Sequence, residues 1–146
     1  MYAIRRWSSA HARFLERIYT ATRPGILAGL RGVTRLFGRR LDTPITAAER
    51  LVKGVVFDCQ MCGDCVLSKT GMTCPMNCPK SIRNGPCGGV RENGMCEVKP
   101  EMRCVWVDAW NGAAKMKDGD AIKDLEFAVD HSRIGQSSWL RLARDE

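Results

Sequence analysis

The chain has 146 residues, 45% of them hydrophobic and 7% aromatic, with a formal net charge of +7. This length suits one compact domain, or a small domain with a helical extension, and no apolar run reaches the ~18 residues of a transmembrane helix. Charge is uneven: residues 1–53 carry a net +8, residues 54–104 carry +1 and residues 105–146 carry −2. The basic surplus therefore belongs to the N-terminal arm.

Ser8 or Ser9 is placed to cap a first helix running to about Tyr19, with Phe14, Leu15, Ile18 and Tyr19 on its apolar side. Arg23-Pro24-Gly25 is expected to break it. A second helical stretch spans Ile26 to Phe37, with Ile26, Leu27, Leu30, Val33, Leu36 and Phe37 at helical spacing. Its Gly29 and Gly32 weaken the helix and suit close packing on another one. Thr43-Pro44 opens a third helix that ends near Gly54. Arg5-Arg6 invites comparison with a twin-arginine export signal. Arg13, Glu16 and Arg17 interrupt the apolar stretch such a signal needs, and the chain is read as cytoplasmic.

The arm, residues 1–56, is read as a partner-docking element, because a module this small cannot cover three amphipathic helices. Packing of the arm on the module is the alternative. Nucleic-acid and membrane-surface binding are both set aside. The sequence has no zinc-finger spacing and no interleaving of aromatic with basic residues.

All eight cysteines fall between Cys59 and Cys104: Cys59, Cys62, Cys65, Cys74, Cys78, Cys87, Cys96 and Cys104. Eight thiols suit two centres of four. Three cysteines at i, i+3 and i+6 can wrap one compact cluster and reach three of its corners, as in the C-x2-C-x2-C run of ferredoxins, where a later Cys-Pro serves the second cluster. Here Cys59, Cys62 and Cys65 form the triplet and Cys78-Pro79 the Cys-Pro pair. Structural zinc prefers two short Cys pairs, and only Cys74 and Cys78 offer a second one. Two [4Fe–4S] clusters are the favoured reading; one [4Fe–4S] cluster plus zinc, or two zinc ions, are the alternatives. A disulfide framework fits an even count but not the confinement of the thiols to one segment. The fourth ligand of the triplet stays open. A segment so rich in ligands is expected to owe its order to its metal.

Gly63, Gly71, Pro75, Pro79, Gly85-Pro86, Gly88-Gly89 and Gly94 predict tight loops. Glycines beside cysteines let backbone amides approach cluster sulfurs. Asn93-Gly94 predicts a hairpin turn with Val90 facing Cys96. Lys80, Arg83 and Arg91 read chiefly as solvated surface charges, with a place near the metal as the alternative. After Cys104, VWVDAW opens a strand or a helix; Trp106 and Trp110 read as core or subunit-contact residues. Asp120 to Val129 is expected to form the last helix. His11 and His131 belong to no ligand pattern. The fold class is thus a small α+β, loop-rich, metal-organised module (57–110) with an N-terminal helical arm (1–56) and a tail with a short helix (111–146).

CPMNCPK at Cys74–Lys80 and NGPCGG at Asn84–Gly89, within Phe57 to Trp110, resemble the methylenetetrahydrofolate reductase C-terminal domain family. The resemblance implies an iron–sulfur, in some cases also zinc-containing, subunit of a flavin-dependent reductase. That reductase converts 5,10-methylenetetrahydrofolate to 5-methyltetrahydrofolate. The catalytic (β/α)8 barrel needs about 250 residues and nothing here reads as βα repeats, so the FMN or FAD and the folate are expected in a partner chain. A ferredoxin or other electron donor is a further expected partner. Electron transfer is the favoured role, and a non-redox structural or assembly subunit is the alternative. The eight cysteines are the only site residues assigned.

Overall fold

The computed structural model describes residues 2–145. Its main helices are α1 (Tyr2–Ala10), α2 (Ala12–Phe37), α3 (Asp42–Phe57), α4 (Val105–Ala113) and α5 (Ser138–Asp145). Short 3-10 turns occur at Pro75–Asn77, Gly119–Lys123 and His131–Arg133. Among the described residues, β pairing is limited to two isolated antiparallel bridges, Val90 with Cys96 and Met95 with Arg103. The molecule is therefore mostly helical and loop-rich rather than α+β. Glycine, proline and cysteine alternate so closely through residues 58–104 that no strand can propagate.

The first helix boundary falls at His11, not at Pro24. Ser8 lies inside α1, where its hydroxyl donates to the carbonyl of Ile4 at 2.9 Å and to that of Val56 at 2.6 Å, pinning α1 to α3. Helix α2 runs through Pro24, although an interior proline costs about 3 kcal/mol. Packing on both sides holds it: Ala12 and Glu16 are buried before the proline and Leu27 after it. The Glu16 carboxylate accepts from the backbone amides of Lys117 and Asp118 at 2.9–3.1 Å, tying α2 to the turn beyond α4. On α2, Leu15 and Tyr19 pack inward while Phe14 and Ile18 stay exposed.

Helix α3 runs on to Phe57, and Asp58 then turns the chain in the left-handed region. VWVDAW is helical, as α4, with Trp106 buried. The expected hairpin at Asn93-Gly94 is present, with Gly94 at φ +78° and Val90 paired to Cys96. The helix expected over Asp120–Val129 is replaced by the Gly119–Lys123 turn and extended chain. Only Ile122 there is buried, and Leu125 and Phe127 face solvent. The C-terminal helix is α5 instead. Among the described residues, no helix is long and apolar enough to cross a membrane.

Candidate metal centre

All eight cysteines are free thiols, and they lie in two groups. Cys59, Cys62, Cys65 and Cys74 line one cavity. Cys78, Cys96 and Cys104 are buried together with Met102, Trp106 and Ala109, and Cys87 packs against them. Cys74 and Cys78 stand at either end of the Pro75–Asn77 turn, so it divides the two groups. The order along the chain is simple: the first four thiols form one set and the last four the other.

The first cavity is built from three directions. The end of α3 supplies Glu49 and Lys53, the loop after it supplies the triplet, and the tail supplies Gln136 and Ser138. Backbone contacts hold the tail down. The amide of Gly135 donates to the carbonyl of Met61 at 2.7 Å, and a β-carbon on Gly63 would lie 2.4 Å from the carbonyl oxygen of Arg133. Asp64 accepts from Arg83 at 3.2 Å and from Arg141 of α5 at 2.6 Å. The free volume among the thiols is about 20 Å³, enough for a single water. Among the described residues, no group of three or more His, Cys, Asp or Glu side chains is already arranged to hold a metal ion.

The thiols of Cys59 and Cys74 share a hydrogen bond, which lowers the Cys59 pKa to about 6 and, with burial, raises that of Cys74. The amide of Met61 adds a bond to Cys59 Sγ at 3.4 Å. Burial pushes the Cys65 thiol up. Beside them lies an ion pair of rare depth, with Glu49 1% and Lys53 5% exposed. Lys53 Nζ donates to Glu49 Oε1 at 2.5 Å and to Ser138 Oγ at 2.7 Å. Ser138 in turn donates to Glu49 at 2.6 Å, and Ser137 also donates to that carboxylate. Burial alone would raise the Glu49 pKa; the Lys53 charge and these hydrogen bonds hold it below the ordinary value.

In the second set, the amide of Cys96 donates to the carbonyl of Met102 and that of Cys104 to the carbonyl of Gly94, at 2.8 and 3.0 Å. Gly89 offers its amide to Cys87 Sγ at 3.4 Å. Cys87 and Cys104 line a cavity with Trp106 and Trp110, whose indole N–H groups are buried without a hydrogen-bond partner.

Of the cations read chiefly as solvated surface charges, Arg83 is buried beside a thiol, while Lys80 is exposed as read and also approaches one. Arg83 is buried with Nη1 at 3.8 Å from Cys62 Sγ, and Lys80 Nζ lies 3.9 Å from Cys87 Sγ while pairing with Glu97. Arg91 is exposed. His11 stacks on Trp7 with ring centroids 4.8 Å apart, and His131 begins an exposed 3-10 turn. Glu49, Lys53, Ser138 and Asp64 escape a sequence reading. Their only signal, the i, i+4 spacing of Glu49 and Lys53, is that of an ordinary surface pair.

No curated protein and no solved structure matches the chain. A family model, described as methylene-tetrahydrofolate reductase C terminal, matches residues 39–132. That span holds all eight thiols, α3 and α4, and covers well over half of the sequence. The chain thus belongs to the methylene-tetrahydrofolate reductase C-terminal family.

Proposed function

We propose that this chain is an iron–sulfur electron-transfer subunit of a methylenetetrahydrofolate reductase, working with a separate flavin-bearing catalytic chain. The observation that carries the reading is the sorting of eight free thiols into two sets of four inside the family-matched region. The proposed ligands are Cys59, Cys62, Cys65 and Cys74 for one [4Fe–4S] cluster and Cys78, Cys87, Cys96 and Cys104 for the other. Such clusters, when bound, take up and release single electrons.

The donor set suits that group. Amides of Met61 and Gly89 already point at thiol sulfurs, as cluster sites require. A buried indole N–H without an acceptor costs about 1–3 kcal/mol. A sulfide-rich group beside Cys87 and Cys104 would give those of Trp106 and Trp110 an acceptor. Burial of Cys78, Cys96 and Cys104 in an apolar core also favours a second role for that set, as a metal staple of the fold. Free thiols suit a reducing compartment such as the cytoplasm.

Helix α3 supports the partner. It buries Glu49 and Lys53 and exposes Leu51, Val52 and Val55, at 69%, 50% and 61%. This inverts the amphipathicity of a helix at rest in water. The face lies within the matched span, and the reductase's catalytic chain is its proposed occupant.

Metal and labile-sulfide analysis, with EPR, of the full chain purified without oxygen tests the reading. About eight irons and eight sulfides with a reducible signal are expected for two [4Fe–4S] clusters. Zinc without sulfide overturns electron transfer and leaves the assembly subunit as the better account.

A further inference from the structure

We infer that Lys53 is a positioning residue that sets the reduction potential of the centre held by Cys59, Cys62, Cys65 and Cys74, with Glu49 as its opposing counter-charge. The inference rests on the iron–sulfur reading of that site.

A buried ion pair is a poor way to stabilise a fold, because desolvation offsets most of its attraction and apolar residues of similar volume do as well or better. Glu49 and Lys53 are nevertheless among the most deeply buried side chains in the protein, and both face the four-thiol cavity. Their polar atoms are satisfied almost wholly by the start of α5. Lys53 Nζ is held by Glu49 and by Ser138, and sits 4.9 Å from the centroid of the Trp139 ring. The remaining Glu49 oxygen accepts from Ser137 and from the amide of Trp139, the latter at 3.3 Å. Neither charge can swing away, so each presents a fixed field to the cavity.

Uptake of one electron adds one negative charge to a cluster. A fixed ammonium at the cavity wall favours the reduced form and a fixed carboxylate opposes it, both with the strength that a water-poor interior gives to charge. Among the described residues, the second set of thiols has no pair with both partners so deeply buried. Its nearby cation, Lys80, is part-exposed and paired with Glu97, where solvent screens it.

The test is an anaerobic redox titration with dithionite, followed by EPR, on the full chain with any co-purifying partner. Wild type, Lys53→Met and Glu49→Gln are compared after matching iron and sulfide content. Lys53→Met is expected to lower the midpoint of one centre and Glu49→Gln to raise it. Each shift should change the reduced-to-oxidised ratio at least tenfold, which is about 59 mV for one electron, while the other centre stays put. A purely structural pair would give no such opposition in sign. If Lys53→Met does not fold, Glu49→Gln decides alone: a raised midpoint supports the inference and an unchanged one overturns it. Unchanged midpoints, or shifts of the same sign, in iron-loaded variants overturn the role of Lys53 only. A wild-type chain without iron and sulfide overturns both this inference and the reading beneath it.

Discussion

Gly71 shows how little room the thiol loops leave. It sits at φ +60°, and a β-carbon there would lie 2.2 Å from the carbonyl oxygen of Ala109 and 2.5 Å from the amide nitrogen of Ala113. Both the left-handed backbone and the contact with α4 forbid a side chain. Gly71→Ala is expected to destabilise the protein by about 2–4 kcal/mol, seen as a lowered denaturation midpoint. The grouping of the eight cysteines in one segment was legible from their number and spacing, and the structure keeps them as free thiols in two sets. The charges around them were not legible. Lys53 stands in the run AAERLVK, which reads as the solvated face of a helix, and only the packing of α5 puts it indoors. Arg83 likewise became a cavity neighbour through Asp64, a partner 19 positions away.

The elements were partly legible. Thr43-Pro44 marked the start of α3 to within a residue or two, and the Asn93-Gly94 turn was correctly placed, because both signals are local. Pro24 misled, since packing of Ala12, Glu16 and Leu27 outweighs the local preference. Helix α5 was missed because Ser137, just before it, and Ser138, its first residue, spend their side chains on Glu49, far away in sequence. The exposed apolar face of α3 carries a prediction of its own. Leu51→Asp combined with Val55→Asp should weaken association with the proposed catalytic partner at least tenfold in a pull-down or calorimetric titration. Two aliphatic anchors are replaced by charges that binding would desolvate. Iron content should stay at the wild-type level, because neither side chain lines a thiol cavity.

At the scale of the molecule, the family-matched region runs from residue 39 to residue 132, and α1, α2 and α5 lie outside it. Helix α1 packs on α3 and α4, and α2 on α5, so these additions wrap the matched region. Between residues 58 and 104 regular structure amounts to a three-residue turn and two bridges. On the proposed metal-bound reading, order there would come from the thiols and the group they hold. Removal of metal by a chelator under reducing conditions is expected to abolish cooperative thermal unfolding while leaving most of the far-ultraviolet helical signal. Retention of a sharp transition would show that the helices alone organise the loops.

The tail that closes the first cavity also gives the molecule a timetable. Synthesis proceeds from the N-terminus, at about 5–20 residues per second. Cys104 completes the second set of thiols well before Gln136 and Ser138, which wall the first, have been made. On the growing chain the first set stands open on one side, with Glu49 and Lys53 still lacking their serine partners. On the proposed iron–sulfur reading, a metal supplied during synthesis would meet the complete set Cys78, Cys87, Cys96 and Cys104 first, and the first cavity closes only as the last helix folds down.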